Sequence, residues 1–515
     1  MVNQKRLFIA CILALVATSF GFGARLQLLG DMGVTFNLSE TQKGALGSAG
    51  LFPFAISIIL FSLFLDRIGY GMGMLFAFCA HVISAIMTLM AKDFGTLYLA
   101  TLLFALANGA VEAVINPVTA TLYPKEKTHY LNVLHSGWPG GMALGMIIII
   151  LLGKEVDWHY KMAIFLIPTA VYGIMMLGQK WPVQERVAAG VSYLDMLKEF
   201  GWASCFICTF FTVLAIDTVP VSLGWYASSS TVYVVALVIA VVASILFGLK
   251  VKSFGQPLFV FLLLVMILLA TTELGTDSWM GDIMMSVMSP QVGQWIPVLT
   301  AVIMFILRFC AGPIVHRLTP LGLLCVCAAI ATIGLTWIAW ASVPPSVGIV
   351  LIGATLYGVG KTFYWPTTLG VVCEQFPKGG AMTINSIAGV GMISVGVIGG
   401  SFLGTLQDVD KDRTLKEKNP ALYKKATADA ETSSFLMTFR AFDQKKIDKL
   451  TPEEQQEVKN ILGQVKQTVL AKFAILPFIM FLCYVGLIFY FKSKGGYKVV
   501  ELQAQQPPAS GPPQG

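Results

Sequence analysis

Apolar and polar positions alternate in long blocks along this chain. Runs of about 20 mostly apolar residues recur through most of it, and a helical run of this length crosses the hydrocarbon core of a bilayer. The first run follows Lys5 and Arg6 and carries no A-x-A cleavage site, so we interpret it as a retained span and not as a signal peptide. The pattern predicts fourteen spans, near residues 7–29, 44–65, 72–91, 96–122, 129–152, 160–178, 199–216, 231–250, 257–279, 294–311, 320–341, 346–368, 380–404 and 468–491.

The spacing of the spans predicts the organisation of the chain. They group as six, two and six, and a charge-rich segment precedes the last span. In that segment, Thr451-Pro452-Glu453-Glu454 has the form of a helix capping box with proline at the first helical position. We interpret the segment as a small extracytoplasmic cap, and a partner-docking module is the alternative. The predicted units are an N-terminal six-helix bundle (1–180), a cytoplasmic linker with an inserted transmembrane hairpin (181–256), helices 7–11 of the C-terminal bundle (257–405), the helical cap (406–467), the last span (468–491) and a disordered cytoplasmic tail (492–515).

The composition supports a membrane protein. Hydrophobic residues make up 56% of the chain and charged residues 12%, whereas soluble domains carry about 25% charged residues. This excludes a soluble enzyme, a disordered protein and a nucleic-acid binder. The net charge of +7 comes from basic residues in short loops, and the nine cysteines lie mostly in apolar runs, so no disulfide framework is implied.

Sequence patterns of catalytic and cofactor sites are missing. Gly360-Lys361-Thr362 resembles the end of a P-loop, but Thr355 stands where that pattern requires glycine. The chain has no HExxH, GxSxG or paired CxxC pattern. We therefore expect no cofactor, no metal and no enzymatic activity.

Basic residues in the short loops predict the orientation. With the N-terminus inside, eleven Lys and Arg residues fall in inner loops, Arg308 among them, and four fall in outer loops. The positive-inside rule then places both termini in the cytoplasm. We expect an integral protein of a bacterial inner membrane, a monomer whose partners are the lipid bilayer, protons and a small-molecule substrate.

The two six-helix halves repeat one another. GAVEAVINP (109–117) matches GVGKTFYWP (358–366), which sets Glu112 opposite Lys361 and Pro117 opposite Pro366. We interpret the halves as parallel repeats separated by the inserted hairpin. Asn132 and Asn385 also occupy matching positions, and the fifth span of each half carries glycines at a spacing of four, which allows close helix packing: Gly137, Gly141, Gly145 and Gly396, Gly400, Gly404.

Charged residues inside the spans mark a candidate site. Leaving out the inserted pair, they fall in the first, fourth, seventh and tenth helices, which predicts one shared polar cavity. These residues are Arg25, Glu112, Glu273, Asp277 and Lys361. Glu112 is the first candidate for a proton acceptor and Glu273 the second. Burial favours the protonated form of a carboxylate, whereas a nearby cation favours the charged form, so its protonation can change with conformation. The alternatives are a structural ion pair between Glu112 and Lys361, and snorkelling of Arg25 and Asp277 to the interface.

Polar and aromatic side chains near these charges suit a polar solute. Aromatic rings beside carboxylates and amides match the apolar faces and hydroxyl groups of sugar rings, whereas a lipid-belt or packing role is the alternative. His135 is equally compatible with a proton relay and with a packing role. The candidate substrate-binding residues are Arg25, Asn116, Asn132, His135, Trp138, Asp277, Trp279, Lys361, Tyr364, Trp365 and Asn385.

The repeat and its loops resemble the major facilitator superfamily. LFLDRIG, with Asp66 and Arg67 after the second span, is similar to a degenerate form of that family's signature loop. RFCAGPIVHR, from Arg308 to Arg317, resembles its weaker second copy. The resemblance implies an all-α membrane protein of two six-helix repeats, here with an inserted two-helix hairpin and about fourteen transmembrane helices. It also implies gating roles for Asp66, Arg67, Arg308 and Arg317.

A narrower resemblance is to the fucose–proton symporter branch and related sugar porters. Glu112-Ala-Val-Ile-Asn116-Pro117 resembles the motif of its fourth helix, and Trp365-Pro366-Thr367 that of its tenth. The resemblance implies alternating access, with proton coupling through Glu112. The chain departs from the branch at Arg25, near which an acidic residue is expected, and at Lys361, and these two cations suit an anionic substrate such as a sugar acid.

The sequence therefore predicts a secondary active transporter that moves a small polar solute, a sugar or sugar acid, by proton symport. One alternative is an organic anion exchanger or exporter on the same fold. The other is a membrane sensor or assembly protein whose segment 406–467 recruits a partner.

Overall fold

Long apolar helices dominate the structure. The computed structural model describes residues 2–38, 40–153, 155–222, 231–277, 280, 284, 290–340, 347–434 and 437–502. Within these residues, twelve helices are long and apolar enough to cross a membrane. The other two predicted spans, near 160–178 and 294–311, correspond to shorter helices at Trp158–Ala163 with Leu166–Met176 and at Trp295–Arg308. The all-α membrane architecture is confirmed, and these shorter helices account for the difference between fourteen and twelve.

We number the helices in chain order and refer to α1–α9 as the N half and to α13–α19 with α24 as the C half. The helices are α1 (Gln4–Thr35), α2 (Glu40–Ala49), α3 (Phe52–Ile68), α4 (Tyr70–Leu89), α5 (Phe94–Leu122), α6 (Lys127–His135), α7 (Gly137–Leu152), α8 (Trp158–Ala163), α9 (Leu166–Met176), α10 (Glu185–Ala188), α11 (Tyr193–Ser222), α12 (Thr231–Val251), α13 (Pro257–Ala270), α14 (Pro290–Gly293), α15 (Trp295–Arg308), α16 (Ala311–Trp340), α17 (Val347–Lys361), α18 (Tyr364–Gln375), α19 (Gly380–Ser394), α20 (Ser401–Lys418), α21 (Pro420–Ala426), α22 (Gln444–Ile447), α23 (Pro452–Phe473) and α24 (Ile475–Ser493). Two π-helices, Thr271–Gly275 and Val395–Gly400, a 3₁₀ turn, Pro377–Gly379, and two strands, β1 (Thr432–Ser434) and β2 (Met437–Phe439), complete the described elements.

Helices α1 and α7 pack through glycine. A Cβ on Gly141 would lie 2.1 Å from Ser19 Oγ and 2.4 Å from the carbonyl oxygen of Val16. A Cβ on Gly137 would lie 2.8 Å from Ile12 O, and one on Gly145 would lie 2.9 Å from Phe20 O, both in the backbone of α1. Because no side chain stands between them, the two helices approach closely, so the glycine ridge predicted for the N half is confirmed.

The matching ridge of the C half is not used in the same way. A Cβ on Gly396 would have only Leu51 Cβ nearby, at 3.9 Å. The tight contact lies instead at Gly389, where a Cβ would fall 2.5 Å from Ile59 of α3. The prediction of a second ridge is wrong at Gly396, and the surroundings of Gly400 and Gly404 lie outside the described part of the chain.

Replacing Gly141 by valine should destabilise the protein. The new side chain cannot fit against Ser19 and Val16, so α7 must move away from α1, at a cost of about 1–3 kcal/mol or more. The thermal unfolding midpoint of the purified protein should fall. Gly486→Val in α24 is the matched control, because no atom lies within 4 Å of its Cβ position. Equal midpoints for the two variants would contradict the packing argument.

At the base of the inserted hairpin, α11 with α12, two glycines are in direct backbone contact. Gly201 (φ +69°) and Gly255 (φ +99°) have backbone conformations that favour glycine, and a Cβ on Gly201 would lie 2.0 Å from Gly255 N. Beside them, Trp202 N donates to Ser253 O at 3.0 Å. Helix α12 exposes a broad apolar face, which suits contact with lipid chains and sets the hairpin at the edge of the bundle: Val234, Val235, Leu237, Val238, Val241, Val242, Ile245 and Leu246.

The segment 406–467 forms a small folded unit. The capping box is confirmed, because Thr451 N donates to Glu454 Oε2 at 3.2 Å and Glu454 N donates to Thr451 Oγ1 at 3.3 Å. The antiparallel pair β1–β2 was not predicted. Helix α20 begins at Ser401 and α23 continues to Phe473, so the predicted boundaries at 406 and 467 fall inside helices that extend from the membrane spans.

Candidate functional site

Three prolines inside the spans each leave one main-chain carbonyl without its usual hydrogen bond within the helix. Proline has no N–H to donate to the carbonyl four residues earlier, and its ring crowds that carbonyl. Helices α6 and α7 separate at Ser136, and α17 and α18 separate at Thr362-Phe363. The affected carbonyls are those of Ala113, His135 and Thr362, four residues before Pro117, Pro139 and Pro366.

Side chains of the C half donate to all three carbonyls. Asn385 Nδ2 donates to Ala113 O at 3.0 Å. Arg308 Nη1 donates to His135 O at 2.5 Å, and Arg308 Nε donates to Thr362 O at 2.8 Å. Ala113 and His135 belong to the N half, so two of these bonds join the halves.

Arg308 lies at the centre of the site and is only 1% exposed. Its third nitrogen, Nη2, donates to Glu273 Oε1 at 2.9 Å, so every guanidinium nitrogen has a partner. The charge pattern predicts Arg308 in an inner loop, and the family resemblance implies a gating role. The structure corrects this placement, because α15 carries the side chain into the interior. The signal was available, since the predicted span 294–311 already contains Arg308.

Glu273 lies on the π-helix Thr271–Gly275 and contacts the start of α18. Its Oε2 accepts a hydrogen bond from Trp365 N at 3.1 Å. A helix N-terminus favours a negative group, and π-helices often occur at functional sites. Glu273 is therefore held by both a cation and a helix N-terminus.

Glu112 lies across the cavity in the N half and is 3% exposed. Its Oε2 accepts from Asn116 Nδ2 at 2.7 Å, and Asn116 Oδ1 accepts from His135 Nε2 at 2.9 Å. His135 Nε2 is also 4.0 Å from Glu112 Oε2. Among the described residues, no Lys or Arg nitrogen lies within ion-pair distance of Glu112. Three candidate site residues, Glu112, Asn116 and His135, therefore contact one another.

A cavity of about 20 Å³ separates Glu112 from Glu273. That volume has room for one water molecule, so the two halves are closed around the site. The side chains that line it are Glu112, His135, Trp138, Glu273, Leu274, Arg308, Trp365 and Met392.

The two predicted asparagines lie at the contact between the halves. Asn132 Nδ2 donates to Thr367 Oγ1 at 3.1 Å, and Asn385 Nδ2 bonds the carbonyl of Ala113. The Oδ1 atoms of both asparagines are buried without a hydrogen-bond partner. The internal repeat thus supplies two equivalent amide contacts, each with one free acceptor.

Lys361 does not face Glu112. It is fully buried and forms an ion pair with Asp277 of the same half. Its Nζ lies 5.1 Å from the ring centre of Tyr357. The ion-pair hypothesis for Glu112 and Lys361 is therefore wrong, because the Lys361 side chain points to Asp277 of its own half.

Two other predicted substrate-binding residues lie away from the cavity, and one is not described. Tyr364 packs inside the C half, with its hydroxyl donating to Cys327 O at 3.4 Å. Arg25 lies in a separate cavity of the N half. Trp279 lies outside the described residues. The expected single cavity for all five charges is therefore not formed.

Two of the remaining predicted gating residues, Arg67 and Arg317, lie on the surface. Arg67 is exposed and stacks on Tyr193 at 5.3 Å, and Arg317 is also exposed. Asp66 lies in α3, and its side chain is outside the described part.

A second contact closes the face of the bundle where α1 begins and α24 ends, which we call the terminal face. Thr128 of the N half donates to Glu374 Oε1 of the C half, at 2.5 Å from Oγ1 and 3.3 Å from N. Lys127 beside it forms an ion pair with Glu185 at 2.6 Å and donates to Cys373 O at 3.4 Å. Sequence reasoning missed these residues, because the predicted span ended at 368 and left Glu374 in a loop.

The C-terminal tail is fastened to the same contact. After a turn at Gly495-Gly496, Tyr497 OH donates to Glu374 Oε2 at 2.8 Å. Gln375 Nε2 donates to Lys498 O at 2.8 Å, and Val500 N donates to Glu374 O at 2.8 Å. Burial raises the pKa of Tyr497 well above its usual value, so the hydroxyl keeps its proton and remains a donor. The expectation of a disordered tail from residue 492 is therefore wrong for Tyr497–Val500.

Truncation after Gly496 should open the terminal face. It removes all three hydrogen bonds, each worth about 1 kcal/mol, and leaves Glu374 with Thr128 alone. Spin labels at Arg67 and Arg317, one on each half, should report longer distances. Truncation after Leu502 is the control and should leave the distances unchanged. If both truncated proteins show wild-type distances, the tail has no role in closing this face.

Comparison with known sequences supplies the family. The sequence model of the Major Facilitator Superfamily matches residues 8–272, which is just over half of the chain. The chain belongs to the major facilitator superfamily. It is thus a multi-pass membrane transporter of a family that moves small molecules. A search of curated proteins finds no match.

Solved structures of this superfamily share the fold at low sequence identity. The proton:xylose symporter XylE is 12% identical with a TM-score of 0.62, over 97% of this chain and 98% of that one. The human organic anion transporter MFSD10 (TETRAN) is 12% identical with a TM-score of 0.59, over 94% and 100%. The E. coli fucose:proton symporter FucP is 14% identical with a TM-score of 0.53, over 92% and 98%. Their differing substrates mean that the fold alone selects none.

Proposed function

We propose that this superfamily member is a secondary active transporter that moves a small polar solute, a sugar or sugar acid, by proton symport. The observation that carries the proposal is the set of contacts between two buried carboxylates of opposite halves. Glu112 contacts Asn116, Asn116 contacts His135, and the His135 carbonyl contacts Arg308, which holds Glu273. In alternating access the halves rock about a central site, so contacts of this kind must change during each cycle.

Glu112 is the proposed proton acceptor. Its buried carboxylate has one hydrogen bond from a neutral amide and, among the described side chains, no Lys or Arg partner. A buried charge without a partner is costly, and taking up a proton removes the charge. Glu273 differs, because Arg308 and the start of α18 balance it. A proton on Glu112 would alter the bond to Asn116, and through His135 the contact with Arg308.

Groups with free hydrogen-bonding capacity support a hydroxyl-rich solute. The Oδ1 atoms of Asn132 and Asn385 are acceptors without a partner, and Trp138 Nε1 is a buried donor without one. Trp365 adds an aromatic surface on the cavity. When the halves separate, these groups would bind hydroxyl groups and the ring face of a sugar.

Pairing of the central cations disfavours an anion exchanger. Arg308 is occupied by Glu273, and Lys361 by Asp277. An anionic solute would have to displace a buried carboxylate from either cation, which is costly. A neutral polar solute requires no such exchange, so we favour it at this cavity.

Replacing Glu112 by glutamine should abolish proton-driven accumulation and preserve exchange. The amide keeps the shape but cannot gain or lose a proton. In proteoliposomes with an imposed proton gradient, uptake of L-fucose, D-glucose and D-glucuronate is measured, and the solute that the wild type concentrates identifies the substrate. For that solute, the variant should still catalyse counterflow.

The exposed Glu155→Gln variant is the control and should accumulate solute like the wild type. A Glu112→Gln protein that concentrates solute against its gradient would refute this coupling mechanism.

A further inference from the structure

Arg25 of α1 is buried away from the central cavity. The residue is 9% exposed, and both Nη atoms donate to Thr88 Oγ1, at 3.3 and 3.2 Å. The guanidinium carbon lies 4.4 Å from the ring centre of Phe104. These contacts fix the plane of the guanidinium group.

The charge of Arg25 has no acidic partner in the described chain. No Asp or Glu oxygen of the described residues lies within ion-pair distance, and Nε is buried without a hydrogen-bond partner. Arg308 and Lys361, two other deeply buried cations of the spans, each have a carboxylate. An unpaired buried cation is costly, so the site is suited to an external anion.

A cavity adjoins Arg25. It has a volume of about 40 Å³, and α1, α2 and α5 line it without a contribution from the C half. Its wall is mostly apolar, with Phe22, Leu26, Leu29, Met32 and Leu46. The Cβ position of Gly47 has no atom of the described residues within 4 Å, so a side chain there would enter open space.

We propose that this cavity binds a small monocarboxylate with a short apolar chain. One cation balances one negative charge, and a guanidinium group with free N–H donors matches a carboxylate. The apolar wall suits an alkyl chain, whereas phosphate and sulfate would leave buried oxygens without donors. The site is separate from the one in the proposed function, because the two cavities share no lining residue.

The test measures binding of butyrate to the purified protein by calorimetry. Wild type should bind butyrate but neither butyramide, which lacks the charge, nor chloride, which lacks the chain. Arg25→Gln should weaken binding about tenfold or more, because a charge-assisted hydrogen bond is lost. Gly47→Leu should weaken it similarly by filling the cavity while Arg25 stays intact, and it keeps the test decisive if Arg25→Gln fails to fold.

Two controls separate this proposal from others. Gly30→Leu, also with no atom within 4 Å of its Cβ position but outside the cavity, should bind butyrate like the wild type. Glu112→Gln should do so as well, whether or not it transports. Butyrate binding that survives both Arg25→Gln and Gly47→Leu, or equal binding of chloride, would overturn the proposal.

Discussion

Replacing Arg308 by methionine should stop transport and destabilise the protein by about 3–5 kcal/mol. The change leaves Glu273 buried without its cation, and removing one partner of a buried ion pair has a cost of this size. It also frees the carbonyls of His135 and Thr362, which have no helical N–H donor because of the prolines four residues later. Solute uptake into proteoliposomes and the thermal unfolding midpoint measure the two effects.

A second substitution separates stability from function. Adding Glu273→Gln to Arg308→Met removes the unpaired charge, so the unfolding midpoint should recover in part while transport stays absent. Arg317→Met is the matched control, because Arg317 is exposed and its loss should change neither quantity. An Arg308→Met protein that is stable and active would show that the central contacts are dispensable.

Replacing Pro139 by alanine should impair transport without destabilising the helices. Alanine supplies the N–H that can bond the carbonyl of His135, so α6 and α7 should join and Arg308 should lose that acceptor. A helix interior favours alanine over proline by about 3 kcal/mol. The lost contact joins the two halves, and a hydrogen bond to a charged group contributes about 1.5–3 kcal/mol, so the closed state should lose about ten- to a hundredfold in population.

Distances between spin labels on the two halves would detect this shift, together with slower uptake. Pro53→Ala is the control, because Pro53 lies in the first turn of α3, where no helical bond is lost. Unchanged distances and uptake in Pro139→Ala would mean that the freed carbonyl has no role in closing the site.

Prolines and amides therefore organise the contact between the halves. The repeat supplies Pro117 and Pro366 at matching positions, and Asn132 and Asn385 likewise. Because helix hydrogen bonds cannot use the freed carbonyls, side chains of neighbouring helices can bind them with little competition, and two of the three bonds join the halves. Such bonds are strong enough to hold one conformation and few enough to be exchanged during a transport cycle.

The sequence by itself determined the class of the protein and part of its polar site. Apolar runs fix where the spans lie, and their length is set by the thickness of a bilayer. The repeat identified Glu112 and Pro366, and local spacing placed Asn116 one helical turn from Glu112, where it was found. The capping box at Thr451 could be predicted because every group involved lies within four residues.

Only the tertiary structure decided which charges meet. In a span that is apolar all round, the sequence gives no rotation about the helix axis and no neighbouring helix. Lys361 therefore pairs with Asp277 and not with Glu112, and Arg25 lies in its own cavity. Arg308 reaches the carbonyls of His135 and Thr362 because α15 packs against α7 and α17. Contacts between residues far apart in sequence depend on such packing and not on local pattern.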